Sequence, residues 1–169
     1  IYHLQVPGEH MALNAAAASA ITEAIAERQG IPLSADQLSA GITSYRGSRR
    51  RSEIVGDAAG VLVMDDYGHH PTAIQKTLAG YRAFYPNRRI IVDFMSHTFT
   101  RSAALLPEFG AAFSDADIVI LNNIYGSARE SSSTAISSEE FAAESARHHQ
   151  HTIFEPDFDG AAKRAIGLL

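Results

Sequence analysis

Cysteine is absent from the 169 residues. That excludes disulfides, thiolate metal sites and a cysteine nucleophile, and it suits a reducing compartment. No apolar run approaches the roughly 20 residues that a membrane helix needs. No basic stretch leads into an apolar one, so a secretory leader is not expected. Positive charge is not in excess: 14 Lys and Arg stand against 19 Asp and Glu, for a net charge of −5. This balance argues against a strong nucleic-acid footprint. Internal repeats are lacking, and so is an initiating Met. The chain opens on Ile1-Tyr2-His3-Leu4-Gln5-Val6, as the interior of a longer polypeptide would, and a fragment is the expectation. What is present suits a folded domain. Hydrophobic residues make up 46% and charged residues 20%, and a chain of this size buries roughly 70% of its unfolded surface without staples.

Apolar spacing sets out the elements. Met11–Gln29 is Ala-rich, carries Leu13, Ala17, Ile21 and Ile25 at helical spacing, and is stopped by Gly30 and Pro32. Ser34 with Gln37 has capping-box spacing and starts a second helix, with Gly41 as its expected end. After a basic loop from Tyr45 to Arg51, Glu53–Val55 and Val61–Met64 flank Asp57–Gly60 as a hairpin would. From there the pattern alternates. Pro71 suits the first position of a helix faced by Ile74, Leu78, Tyr81 and Phe84. Arg89–Phe94, Asp117–Leu121 and Thr152–Phe154 read as strands. Ser102–Phe113, broken at Pro107, Ser138–His148 and Phe158–Leu168 read as helices, and Ser127–Ser138 as a mobile loop. Strands separated by helices predict an α/β, Rossmann-like three-layer domain with a mostly parallel sheet, preceded by a helical segment. The seam is expected near residues 40–45, where an all-helical segment meets the alternating one.

In such sheets ligands bind outside the carboxyl ends of the strands. Three polar clusters are expected at consecutive strand ends: Asp65-Asp66-Tyr67-Gly68-His69-His70, then Ser96-His97-Thr98-Phe99-Thr100-Arg101, then Asn122-Asn123-Ile124-Tyr125. Each has a plainer reading. Asp65 or Asp66 would serve as cap of the helix at Pro71, with Asp66 the better candidate for a ligand-orienting role. One of His69 and His70 would simply pack. The Arg101 fork suits a carboxylate or phosphate, but it would equally form a surface ion pair of little worth. Arg46, Arg49, Arg50 and Arg51 are either a solvated face or an anion-binding groove. His10 and Asn14 are four apart and share a helix face. His148, His149 and His151 read as solvated residues at a helix C-terminus. Asp66, His69, His70 and His97 match no closed zinc spacing.

Together these strings resemble the Mur ligases. Pro7-Gly8-Glu9-His10-Met11-Ala12-Leu13-Asn14-Ala15-Ala16 is similar to their PGxHNxxNAxAA element, and Gly47-Ser48-Arg49-Arg50-Arg51-Ser52-Glu53 to GxxRRFE. Asp65–Ile74 resembles the DDYxHHPTEI signature of the alanine-adding branch. His97-Thr98-Phe99-Thr100-Arg101-Ser102 resembles its H-[RT]-[FY]-[ST]-R-T loop, and Ile124-Tyr125 with Ala128-Arg129-Glu130 its IYxARE segment. Met11 stands where Asn is usual, and Ser52 where an aromatic is usual.

The resemblance implies an ATP- and Mg2+-dependent cytoplasmic ligase of peptidoglycan precursor synthesis. ATP phosphorylates the lactate carboxylate of UDP-N-acetylmuramate, and the amine of L-alanine attacks the acyl phosphate. It implies that residues 1–44 are the helical tail of the central ATP-binding domain and residues 45–169 the C-terminal domain, lacking a last strand. His10, Asn14, Arg51 and Asp66 then fall beside the nucleotide. Tyr67, His69, His97 and Arg101 surround the incoming L-alanine, with Arg101 facing its carboxylate. Asp66, His69 and Arg51 are the catalytic candidates. No G-x-x-x-x-G-K-[ST] loop occurs, so this chain alone is expected to be inactive. The tripeptide-recycling branch is a second reading, although it usually differs at Gly68 and lacks the HTFTR loop. Outside the family, Asp66 with His69 and His70 superficially resembles the Asp-His-His metal-dependent phosphoesterases, which need further aspartates on neighbouring strands, with Asp93 the only nearby candidate; a non-catalytic binding domain is a third possibility.

Overall fold

Gly8 and Gly30 bracket the first helix, α1 (Glu9–Gln29). Gly8 has φ 108°, a conformation that side-chain-bearing residues rarely adopt, and the His10 ring folds back to within 2.5 Å of where a Cβ would stand. Gly30 takes the left-handed conformation and its N–H reaches the carbonyls of Ala26 and Glu27, a glycine stop. α2 (Ala35–Ser44) carries the expected capping box, with Ser34 Oγ accepting from Gln37 N–H at 3.1 Å and Gln37 Oε1 from Ser34 N–H at 2.8 Å. It does not end at Gly41. A single interior glycine costs about 1 kcal/mol relative to alanine, too little to stop a helix that continues to Ser44 and buries Leu38. β1 (Glu53–Ala58) and β2 (Val61–Asp65) form an antiparallel hairpin. Its two-residue loop, Ala59 at φ 51° and Gly60 at φ 82°, has the double positive φ of a type I′ turn.

The second part of the chain is the α/β domain. In the computed structural model residues 3–126, 130 and 136–169 are described. Two compact units divide between Tyr67 and Gly68. In the second, β3 (Ile91–Phe94), β4 (Ile118–Leu121) and β5 (Thr152–Phe154) run parallel in the order β3-β4-β5. The helices are α3 (Pro71–Phe84), α4 (Phe99–Ala104), α5 (Leu106–Ala111), α6 (Ser138–His148) and α7 (Phe158–Gly167). Pro107 does break the helical stretch after β3: α4 ends at Ala104 and α5 starts afresh with the proline in its first turn. β4 is buried at Val119, Ile120 and Leu121, as a central parallel strand covered on both faces should be.

The core lies over this sheet. Phe94 meets Phe109, Phe113 and Phe141 at ring-centroid distances of 5.9, 5.4 and 6.5 Å, and Phe109 meets Phe141 edge-on at 5.2 Å. The clusters expected after β3 and β4 do fall at carboxyl ends of parallel strands. The first cluster does not. β2 belongs to the hairpin's own two-stranded sheet, because the Ala59-Gly60 turn pairs it with β1. Of the Ser127–Ser138 stretch, only Glu130 and residues 136–138 are among those described. Among the described residues, no helix is long and apolar enough to cross a membrane.

An ion pair ties α3 to the starts of β3 and β4. Arg82 Nη2 lies 2.7 Å from Asp117 Oδ2 and also donates to the Asp115 carbonyl, while Ile90 N–H donates to the same carboxylate oxygen at 2.7 Å. Desolvation opposes the charge on Asp117. The Ile90 N–H, the hydrogen bond and charge of Arg82 and the charge of Arg89 outweigh it, holding the carboxyl below its ordinary range. A depressed carboxyl stabilises the fold above its unfolded pKa and loses that contribution as pH falls through the folded value. Two outcomes are expected in urea unfolding. Phe109→Ala should cost about 3–5 kcal/mol. Asp117→Asn should cost about 1 kcal/mol at pH 7, a figure kept small by solvent around the pair, and should flatten the loss of stability on acidification from pH 5 to 3. An equal acid dependence in both proteins would remove Asp117 as its source.

Candidate functional site

Before β1 the chain makes a tight basic turn, and its geometry comes from main-chain demands. Arg50 and Ser52 have φ 55° and 52°, conformations uncommon for non-glycine residues. Three contacts hold them. Asp66 Oδ2 accepts the Ser52 N–H at 2.8 Å, Glu53 Oε2 accepts the Arg50 N–H at 2.8 Å, and the Arg50 carbonyl accepts the Tyr67 N–H at 2.9 Å. The Arg50 guanidinium lies 4.8 Å and that of Arg51 5.7 Å from the Tyr67 ring centroid, within cation–π range. Arg50 also pairs with Asp65 at 3.5 Å. Arg51, Asp66 and Tyr67 are therefore brought together on one arm, with Ser52 buried beneath them. All four arginines of the run are exposed. His10 and Asn14 share a face of α1 in the same unit.

Neither aspartate caps α3. Asp65 pairs with Arg50 and Asp66 holds Ser52, so the capping reading is corrected for both. The cap is His70, whose Nδ1 accepts the Thr72 N–H at 3.3 Å. This gives one histidine of the pair a structural role and leaves His69, half-buried, as the other.

At the carboxyl end of β3 the HTFTR turn is fixed from several sides. His97 and Tyr125 form a parallel β-bridge that carries the β3–β4 pairing beyond the strands, with Tyr125 N–H to the Ser96 carbonyl at 2.8 Å and Thr98 N–H to the Tyr125 carbonyl at 2.9 Å. Their rings lie 5.3 Å apart. Below them the buried hydroxyls of Ser96 and Ser102 meet at 2.7 Å, and Ser102 also donates to the Thr98 carbonyl. Thr98, the N-cap residue of α4, has φ 75° and supplies no side-chain cap. Glu130 supplies it instead: Oε2 accepts the Phe99 N–H at 2.9 Å, and Oε1 accepts the Thr100 N–H at 3.1 Å and its hydroxyl at 2.5 Å. Arg101 follows within α4, half-buried, with no ion pair among the described residues. Of the ARE string, Ala128 and Arg129 lie outside the described residues.

Asn122, just past β4, donates its amide to Asp93 Oδ1 at 3.0 Å and to the Glu155 carbonyl at 3.2 Å, linking the ends of all three parallel strands. Desolvation raises the Asp93 carboxyl above its ordinary range, and the Asn122 bond only partly offsets this. Asp93, the carboxylate a phosphoesterase site would enlist, is thus engaged by an amide. His149 is more than a solvated helix end: its Nε2 lies 2.9 Å from the Ala116 carbonyl, ahead of β4. His148 pairs with Glu144 at 3.3 Å. No local pattern in the sequence marks Asn122 or Glu130, whose bonds reach groups about thirty positions away, and a histidine cap such as His70 lies outside the usual capping residues.

Comparison with known proteins adds the family. The family described as "Mur ligase, glutamate ligase domain" matches residues 50–169. A protein of Treponema pallidum named UDP-N-acetylmuramate–L-alanine ligase is 46% identical over 156 residues, covering 90% of this chain and 32% of that protein. The chain thus spans about a third of the length of the curated relatives it matches. The crystal structure of UDP-N-acetylmuramate–alanine ligase from Thermotoga maritima superposes with a TM-score of 0.73 at 23% identity, over 92% of this chain and 31% of that one. Folylpolyglutamate synthase of Mycobacterium tuberculosis, complexed with ADP and AMPPCP, gives 0.68 at 20% identity, over 98% of this chain and 35% of that one. These two likenesses are of fold alone. Residues 50–169 take in both the hairpin arm and the whole parallel sheet, and on that match the chain belongs to the Mur ligase family.

Proposed function

We propose that this chain is part of a cytoplasmic, ATP-dependent ligase that joins L-alanine to UDP-N-acetylmuramate through an acyl phosphate, in peptidoglycan precursor synthesis. The observation that carries the reading is the HTFTR turn. It sets His97 and Arg101 on a main chain fixed by the His97–Tyr125 bridge and the Ser96–Ser102 bond, at a strand end where α/β sheets bind ligands. The name of the Treponema relative supports L-alanine over a ready-made peptide. Residues 1–44 would be the tail of the nucleotide domain and residues 45–169 the C-terminal domain.

The donor set of the arm fits a phosphate-bearing nucleotide. Arg49 and Arg51 are exposed residues, and a guanidinium fork suits phosphate oxygens. Arg51 and Asp66 would hold ATP with His10 and Asn14, while the triphosphate cradle and the Mg2+ ligands would come from elsewhere in the full-length protein. When bound, ATP supplies the phosphoryl group that activates the carboxylate. This chain's own residues then orient the nucleophile. An amino acid must present its amine rather than its carboxylate, so the carboxylate needs a fixed cationic partner. Arg101 would be that partner; Tyr67, His69 and His97 are the further proposed L-alanine-binding residues. Asp66, His69 and Arg51 are the proposed catalytic residues.

In the full-length enzyme, Arg101→Ala should raise the KM for L-alanine and lower kcat/KM by roughly 2–4 kcal/mol, the range for truncating one side of a charge pair. ATP affinity and thermal stability should hardly move. Early unfolding with normal L-alanine kinetics would make Arg101 a structural residue instead. The 169-residue chain by itself should form no acyl phosphate when supplied with ATP and UDP-N-acetylmuramate, and phosphate release above background would contradict its reading as a part of the enzyme.

A further inference from the structure

We infer that Glu130 is a positioning residue for amino-acid binding, acting through the backbone of the HTFTR turn; the inference rests on the alanine-ligase reading above. The turn has a geometric problem. Thr98 is β-branched yet has φ 75° and ψ 126°, a combination that sterics disfavour and that persists only where the surroundings over-determine it. In this conformation the Thr98 side chain caps nothing. The first N–H groups of α4 would then lack an acceptor, and a six-residue helix has few bonds of its own to hold it.

Glu130 supplies what Thr98 does not. One carboxylate oxygen takes the Phe99 N–H, and the other takes both the Thr100 N–H and the Thr100 hydroxyl. These are charge-assisted bonds from a residue thirty positions away in sequence. They hold the two residues that separate His97-Thr98 from Arg101. On the inner side, the Ser96 and Ser102 hydroxyls and the Thr98 carbonyl lock the same turn to β3. Both sides of the turn that leads into Arg101 are thus held by hydrogen bonds. A carboxylate-binding fork needs that restraint, since misplacement by about 1 Å costs about a hundredfold in rate. Glu130 need not touch the amino acid; it decides where Arg101 starts from.

The test compares Glu130→Ala, Glu130→Gln and Arg101→Ala in the full-length ligase by steady-state kinetics, with amide hydrogen exchange over α4. Glu130→Ala should raise the KM for L-alanine about tenfold, with kcat and the KM for ATP within about twofold. Glu130→Gln keeps one acceptor oxygen and should recover part of that loss. Exchange at Phe99 and Thr100 should quicken in Glu130→Ala and stay unchanged in Arg101→Ala. If Arg101→Ala raises the KM for L-alanine while Glu130→Ala leaves it unchanged, Glu130 has no positioning role and the alanine-ligase reading stands. If Glu130→Ala lowers the apparent affinity for all substrates equally, its role is general stability and the inference fails. If Arg101→Ala leaves the KM for L-alanine unchanged, the placement of the amino-acid site is wrong and the inference falls with it.

Discussion

Where a strand ends or a turn adopts positive φ, main-chain N–H groups point away from any neighbouring strand and need another acceptor. In this chain carboxylates meet that need at the positions that shape the fold. Asp66 takes the Ser52 N–H, Glu53 the Arg50 N–H, Asp117 the Ile90 N–H, and Glu130 the N–H groups of Phe99 and Thr100. Glu53 opens β1, Asp66 directly follows β2 and Asp117 stands just ahead of β4, so these three bonds tie turns to the ends of strands. The conformations held this way carry the residues with functional promise: Arg51 and Tyr67 on the arm, His97 and Arg101 at the sheet. An ionised acceptor serves better than a hydroxyl because its bonds to N–H groups are stronger.

The aromatic core provides the rigid reference for the sheet. Phe94 ends β3 within contact of Phe109, Phe113 and Phe141, and two residues later the buried Ser96 begins the HTFTR turn. The candidate site therefore begins directly after the strand end that joins the buried aromatic cluster. Asn122 repeats the arrangement at the next strand, where its amide joins Asp93 to the Glu155 carbonyl across the three strand ends.

Much of the fold was legible in the sequence because its signals are local. Ser34 with Gln37, Gly30 and Pro71 each act within one turn of helix, and Ile118-Val119-Ile120-Leu121 is the continuous apolar run of a buried parallel strand. The misreadings have physical causes. Gly41 weakens a helix without ending it. The Asp65-Asp66 pair stands where caps often stand, but the positive φ of Ser52 claims Asp66 and Arg50 claims Asp65, leaving His70 to cap α3. Leu13, Ile21 and Ile25 have helical spacing, and α1 is indeed a helix, yet they are exposed and only Ala26 is buried. Periodicity reports conformation, not what a face packs against. Glu130 was visible as part of a motif, but its role depends on the Thr98 backbone conformation, which no local pattern encodes.

Arg101 is the proposed receiver of the amino acid's carboxylate. The most direct measurement is a crystal structure of the full-length ligase with UDP-N-acetylmuramate, a non-hydrolysable ATP analogue and L-alanine. The L-alanine carboxylate should lie within about 3 Å of the Arg101 guanidinium nitrogens, the distance of a charge-assisted hydrogen bond, with Glu130 still holding Phe99 and Thr100. L-alanine bound with its carboxylate on another cation, and Arg101 turned to solvent, would contradict it.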